Sequence, residues 1–323
     1  MKRILLVKTS SLGDVIHNLP VLNDILQHMP DAKIDWVVEK SFADIPNLHP
    51  NVNKVMTVAL RQWRKQLFKL STWREIIGTV KTLTFQRYDV IIDTQGLIKS
   101  GVITSLANGV KHGYDKKSIR EPLASWFYEK KHAISYQQHA VHRNRTLVAL
   151  SLGYPVPSGA PDYGIQASAE LGFTINTPYV VGLHGTSRDS KLWPTEHWIE
   201  LGAQLAEHQL NLVLPWASDA EFKRAQHIAS RLSNATVLPK LTIAQLATVI
   251  GKAQAAIGVD TGLSHLAAAL NIPTIAIYTD TNPEMTGVCA GAHAPAINLG
   301  GIQKVPTVED VFSTFLKLPV KSH

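Results

Sequence analysis

The chain has one cysteine, Cys289, among its 323 residues. It can form no internal disulfide, and nothing in it calls for an oxidising compartment. No run of about 18 apolar residues is present to cross a bilayer. The first strand pattern starts at Arg3, which leaves no room for a leader peptide, so a cytoplasmic location is expected.

Missing motifs narrow the chemistry. No Gly-x-Gly-x-x-Gly occurs, which speaks against a dinucleotide-binding oxidoreductase. Gly96 and Gly101 have the spacing of a Walker loop, but Val102 stands where the phosphate-binding lysine would be. No Cys/His cluster fits zinc. No Asp-x-Asp pair is available to cage a metal-bound diphosphate. No metal and no cofactor are therefore expected, and a bound diphosphate would have to be neutralised by helix N-termini and cationic side chains.

The composition is that of a globular protein, 45% hydrophobic and 18% charged, and the length suits two domains. The net charge of +7 is unevenly spread. Residues 1–160 hold 22 Lys/Arg and 12 Asp/Glu, a balance of +10, and the remainder holds 10 and 13, a balance of −3. A basic first half points to an anionic partner: nucleic acid, an acidic membrane surface or a phosphorylated substrate.

Apolar runs of strand length alternate with amphipathic stretches. In the first half they fall at 3–8, 33–38, 54–59 and 88–93, with a helical pattern over 13–29. Residues 153–161 are rich in Pro and Gly and mark a linker. A second alternating series starts at Tyr179, with strands expected at 211–215, 236–238, 255–259 and 274–278. Continuous Val/Ile strands between helices imply parallel sheets covered on both faces. The expected fold is α/β, with two Rossmann-like domains whose parallel sheets face a central cleft. The domains are expected at 1–153 and 179–307, joined by a linker at 154–178. A C-terminal helix, 308–323, is expected to pack back on the first domain.

Four segments carry chemistry. Lys8-Thr9-Ser10-Ser11-Leu12-Gly13-Asp14 leaves the first strand, where parallel sheets bind ligands. Gly13 permits close approach, and Asp14 falls in a first helical turn, where the dipole keeps a carboxylate ionised and able to take a proton. Plain helix capping explains Asp14 equally well. Second, Asp260-Thr261-Gly262-Leu263-Ser264-His265 runs from a buried strand into an Ala-rich helix. Its free N–H groups and hydroxyls form an anion site, and His265 reaches in from one turn on. Third, the loop from His184 to Pro194 offers Thr186, Ser187 and Lys191 to a diphosphate, with Lys191 as a point charge in place of a metal. Fourth, Arg61, Lys65 and Lys69 recur every fourth residue beside Arg64, with Trp63, Phe68 and Trp73 interleaved. A helix there suits an anionic membrane surface or a phosphorylated acceptor; no nucleic-acid module accompanies it. Arg120 adds to the basic half, and His132, His139 and His142 read as exposed helical histidines.

These motifs resemble the lipopolysaccharide heptosyltransferases, inverting glycosyltransferases of GT-B fold. The match is carried by residues 8–14, by Asp93-Thr94-Gln95-Gly96-Leu97-Ile98-Lys99-Ser100, and by Gly109-Val110-Lys111-His112-Gly113. Arg120-Glu121-Pro122-Leu123-Ala124-Ser125, Lys191-Leu192-Trp193-Pro194 and residues 259–265 extend it. The Lys-Thr-Ser-Ser opening and the Asp-x-Gln-Gly-Leu block look like the group that adds the first heptose rather than the second. The resemblance implies transfer of L-glycero-D-manno-heptose from ADP-heptose to the first Kdo of Kdo-lipid A, at the cytoplasmic face of the anionic inner membrane. It implies Asp14 as general base. Thr186, Ser187, Lys191, Glu221, Asp260, Thr261, Gly262 and His265 would hold the donor, with Glu221 on the ribose. Ser10, Gly13, Arg61, Arg64, Lys65 and Arg120 would meet the acceptor. Relatives often carry a Gly-Pro-Thr-Asp-Pro-like turn where this chain reads Tyr278-Thr279-Asp280-Thr281-Asn282-Pro283, which leaves Thr281 and Asn282 without an assigned role. Two other readings stand beside this one: addition of a later core heptose, and a non-catalytic binder of acidic glycolipid.

Overall fold

The computed structural model describes residues 1–319. The chain divides into two compact units, Met1–Gly159 and Ala160–His323, so the division falls within the expected linker. Residues 320–323 of the expected C-terminal helix lie outside the described residues.

The first unit carries strands β1 (Arg3–Val7), β2 (Lys33–Glu39), β3 (Val52–Val58), β4 (Arg87–Asp93), β5 (Asn108–Tyr114) and β6 (Lys130–His132). All neighbours pair in parallel, in the order β3-β2-β1-β4-β5-β6. β1 is central, and Ile4 to Val7 are fully buried, as a strand covered on both faces requires. Leu5, Val7, Val37 and Ile91 pack with Trp63 and Leu83. The single helix expected over 13–29 is two, Leu12–Ile16 and Pro20–His28. Proline has no N–H to give a preceding turn and is accommodated at a helix start, so the chain restarts at Pro20.

The second unit repeats the plan with β7 (Tyr179–Leu183), β8 (Asn211–Leu214), β9 (Ala235–Val237), β10 (Ala255–Val259), β11 (Thr274–Tyr278) and β12 (Ala296–Gly300). Its order is β12-β11-β10-β7-β8-β9, again wholly parallel. Trp193, Trp198, Leu212, Ile257 and Ile277 form its core. Helix Val308–Leu316 buries Val308, Val311 and Phe315 in that same core. It therefore belongs to the second unit, where its apolar stripe completes the cover of this sheet.

The chain is pinned on either side of the division. The Arg145 guanidinium makes a buried two-point ion pair with Asp24 at 2.7 and 2.8 Å and donates to the Gly159 carbonyl at 2.7 Å. Beyond the division, the Tyr163 hydroxyl donates to the Cys289 carbonyl at 3.0 Å. Strands β5, β6 and β12 are not among the sequence expectations. β6 and β12 are edge strands, and β5 reads Asn-Gly-Val-Lys-His-Gly-Tyr, so none shows a continuous apolar run. Among the described residues no helix is long and apolar enough to cross a membrane.

In each unit the strand order reverses between the first and fourth strands, β1 and β4 in one and β7 and β10 in the other. Ligands of open parallel sheets bind outside the carboxyl ends at such a point. The loops leaving these four strands are the motif segments at 8–14, 93–100, 184–194 and 260–265.

Candidate functional site

In the first unit the two switch-point loops are tied together. Asp93 ends β4 fully buried. Its Oδ1 accepts from the Gln95 and Gly96 N–H groups at 2.9 and 3.1 Å, and its Oδ2 from the Tyr128 hydroxyl at 2.8 Å. Burial pushes its carboxyl above the usual range, against the pull of these bonds. Gly96 sits at φ +69°, where a side chain would also strike Ile119. The turn so fixed aims Gln95 back at the other loop, where Oε1 accepts from the Thr9 and Ser10 N–H groups at 3.1 and 3.0 Å. The buried Lys8 Nζ donates to the Thr94 carbonyl at 2.9 Å, and burial holds its pKa below the usual lysine value.

Asp14 stands in the first turn of helix Leu12–Ile16. Its Oδ2 accepts from the Ser11 N–H at 2.8 Å and from the Ser11 hydroxyl at 2.9 Å. It is thus a cap by one oxygen, while Oδ1 has no hydrogen bond among the described residues. The two readings of Asp14 are compatible.

Lys99, absent from the sequence-derived site, donates from Nζ to Ser10 Oγ at 2.7 Å. Its pKa is lowered by partial burial and by Arg61, with Glu39, Glu121 and Asp14 pulling the other way. The structure therefore brings Ser10, Gly13, Asp14, Lys99 and Arg61 into one neighbourhood. Lys99 occupies the segment that failed as a Walker loop; a cation in the first turn of helix Ile98–Leu106, which follows β4, was the available signal. Arg61 lies 5.5 Å from the Phe42 ring centre, and its N–H donates to Glu39 Oε1 at 3.3 Å. Arg64, Lys65 and Arg120 are exposed on this unit. The basic stripe expected along one helix is interrupted. The first helix, Leu60–Lys65, stops before Lys69, and Trp63 turns inward, its Nε1 donating to Glu75 at 2.8 Å. Nor are the three histidines all exposed and helical. His132 lies in β6 with Nε2 3.2 Å from His112 Nδ1, His139 caps helix Ala140–Leu152, and His142 alone is an exposed helical residue.

In the second unit Asp260 is the hub. Its Oδ2 pairs with Lys191 Nζ at 2.6 Å and accepts from the Thr281 hydroxyl at 2.6 Å, while its carbonyl accepts from the Thr186 hydroxyl at 2.9 Å. Thr261 precedes helix Gly262–Ala269 and lends it no side-chain cap, so the first N–H groups of that helix are left for another acceptor. Ser264 turns back instead, donating to the Val259 carbonyl at 2.8 Å. Behind it Gly258 leaves no space for a side chain, since a Cβ would strike Ser264 Oγ and the Leu183 side chain. His265 is buried on the same helix, and Ser187 is exposed on the β7 loop. Glu221 borders Gly185 and caps helix Asp219–Ala229, accepting from the Ala217 N–H at 2.6 Å. In the turn after β11, Thr281 braces Asp260, and Asn282 caps helix Pro283–Thr286 by accepting from the Glu284 N–H at 3.1 Å. Among the described residues no group of three or more His, Cys, Asp or Glu side chains is arranged for a metal ion.

His184, directly after β7, is fully buried against Trp198. Burial, with the Arg224 charge second, lowers its pKa to about 4. The unfolded chain, with an ordinary value near 6.5, then binds more protons than the folded one between those values. The stability His184 contributes is complete above pH 6.5 and is lost as pH falls towards 4. Between pH 7.5 and 5 the wild type should lose about 2 kcal/mol more than a His184→Gln variant. Denaturant midpoints at both pH values test this; parallel losses in the two proteins would sink it.

Comparison with known proteins bears on what these loops serve. The sequence profile of glycosyltransferase family 9 (heptosyltransferase) matches residues 76–313. Lipopolysaccharide heptosyltransferase 1 of Escherichia coli (strain K12) is 46% identical over 310 residues, 92% of this chain and 96% of that protein. The structure of E. coli heptosyltransferase WaaC with ADP superposes with a TM-score of 0.90 at 44% identity, covering 98% of this chain and 99% of that one. The same enzyme with ADP-2-deoxy-2-fluoro heptose gives a TM-score of 0.87 at 43% identity, over 98% and 99% of the two chains.

Proposed function

This chain belongs to glycosyltransferase family 9, the heptosyltransferases, and from that membership we propose that it transfers L-glycero-D-manno-heptose from ADP-heptose to the first Kdo of Kdo-lipid A, with inversion. One observation carries the reading: agreement over 98% of the chain, at 44% identity, with a heptosyltransferase solved with ADP. The donor half is read onto Lys191, Thr186, Ser187, Asp260, Thr261, Gly262 and His265, with Glu221 on the ribose. Lys191 and the first N–H groups of helix Gly262–Ala269 offset the charge of the departing diphosphate, so no metal is invoked.

The acceptor half is read onto Ser10, Gly13, Arg61, Arg64, Lys65 and Arg120, to which the geometry adds Lys99. The Kdo hydroxyl gives its proton to Asp14 Oδ1 as its oxygen attacks the anomeric carbon. The bond from that carbon to the β-phosphate oxygen breaks on the opposite face, and ADP leaves. Single in-line displacement inverts the centre and needs one base. The acceptor's lipid places the reaction at the anionic cytoplasmic face of the inner membrane.

Thr281 acts here through Asp260, and this gives it a testable consequence. Thr281→Val removes a hydrogen bond to a charged group, worth about 1.5–3 kcal/mol, and frees Asp260 to draw Lys191 away. The KM for the donor should rise at least about tenfold with little change in kcat, and Thr281→Ser should restore it. A Val variant with unchanged donor KM removes Thr281 from this role.

Mass-spectrometric detection of heptose transfer to Kdo-lipid A, with and without a chelator, tests the whole reading. Product only on a heptosylated acceptor would instead select addition of a later core heptose. Absence of selective ADP binding would leave the non-catalytic glycolipid binder, which family membership already disfavours.

A further inference from the structure

The turn between helices Leu60–Lys65 and Leu70–Phe85 carries an apolar surface with no cover. Phe68 is fully exposed and Leu70 is 78% exposed, while Trp73 and Ile77 are each 51% exposed. Leu70, Trp73 and Ile77 fall at i, i+3 and i+7 of one helix and so share a face. Leu67 joins them at the tip, 45% exposed.

The tip is braced from behind. Trp73 Nε1 donates to the Leu67 carbonyl at 2.9 Å, and the buried Trp63 donates to Glu75 at 2.8 Å. A folded support thus presents large apolar side chains to solvent, which soluble surfaces seldom do without a partner. The charge around them is mostly positive, with Glu75, which pairs with Lys40 at 3.9 Å, as the one carboxylate between Arg61 and Ile77. Residues 61–74 contain Arg61, Arg64, Lys65, Lys69 and Arg74 and no Asp or Glu.

We propose that Leu67, Phe68, Leu70, Trp73 and Ile77 insert into the headgroup region of an anionic lipid bilayer, with Lys69 and Arg74 seated on its phosphates. A protein groove would complement the apolar face but not a rim of five cations against one carboxylate, Glu75, whereas an anionic bilayer complements both. Trp and Phe are suited to the boundary between headgroups and acyl chains. The inference rests on the proposed function only in that the acceptor is a lipid. Binding is therefore measured on the full chain without donor or acceptor, and transfer is assayed separately on a deacylated, water-soluble acceptor.

The test is co-sedimentation with vesicles of equal parts phosphatidylcholine and phosphatidylglycerol, against vesicles of phosphatidylcholine alone. The wild type should bind the anionic vesicles, less so as salt rises, and the neutral ones weakly. Phe68→Asp with Leu70→Asp should lower partitioning at least about tenfold, and Lys69→Glu with Arg74→Glu should lower it on anionic vesicles. All four side chains are exposed, so melting temperature and turnover on the soluble acceptor should be unchanged. The proposal is overturned if the wild type ignores vesicle charge, or if the apolar variant binds as the wild type does. It is equally overturned if the wild type self-associates and that variant abolishes self-association without altering vesicle binding. Failure of transfer on the soluble acceptor would count against the proposed function instead.

Discussion

Replacing Asp14 by asparagine should lower kcat by about a thousandfold, the middle of the range for loss of a positioned general base. The substitution isolates the proton transfer from the cap. The asparagine amide still presents an oxygen to the Ser11 N–H, the bond that Asp14 Oδ2 now accepts at 2.8 Å. Stability should therefore change by no more than about 1 kcal/mol, the usual worth of a cap. Binding of ADP should be unaffected, because the residues assigned to it lie on loops of the second unit. Turnover and calorimetric ADP binding on one preparation separate chemistry from folding. Residual turnover within tenfold of wild type would leave Asp14 as a cap and nothing more.

The second large effect is expected at Lys191. Lys191→Ala should raise the donor KM about a hundredfold, equivalent to about 2.7 kcal/mol of lost binding. Two losses combine. The diphosphate loses a point charge, and the Asp260 carboxylate, keeping the Thr281 hydroxyl but no cation, is left to repel it. Lys191→Arg should recover only part of the loss, since a planar fork does not reproduce a compact ammonium 2.6 Å from its partner. Adding Asp260→Asn to Lys191→Ala should then cost less than the sum of the single changes, because the unpaired carboxylate is gone. Unchanged donor kinetics in Lys191→Ala would refute the assignment, and strict additivity in the cycle would refute the coupling.

What the sequence disclosed follows from which signals are local. β1 and β10 are continuous apolar runs ending in small and polar residues, so strand, loop and switch point could all be placed from pattern alone. Long-range complementarity left no such trace. Lys99 joins Ser10 across 89 positions, and Thr281 meets Asp260 across 21. β5 and β12 owe their pairing to the neighbouring strand rather than to their own residues. The Arg61, Lys65, Lys69 spacing predicted one helix face, yet the helix that buries Trp63 does not continue past Lys65. The chain turns there instead. A periodicity of charge does not specify which way an interleaved tryptophan faces.

Each sheet takes all its strands from one contiguous stretch of chain, and this has a bearing on synthesis. When Tyr179 is translated, every strand of the first sheet has already been made, and that unit can close while the ribosome is still working. The second has no such lead. Helix Val308–Leu316 places Val311 and Phe315 in the core beneath β10 and β11, so this unit waits for residue 315 before its apolar interior is covered. The nascent second unit is thus the stretch left open to chaperones and proteases, for as long as the last helix takes to arrive.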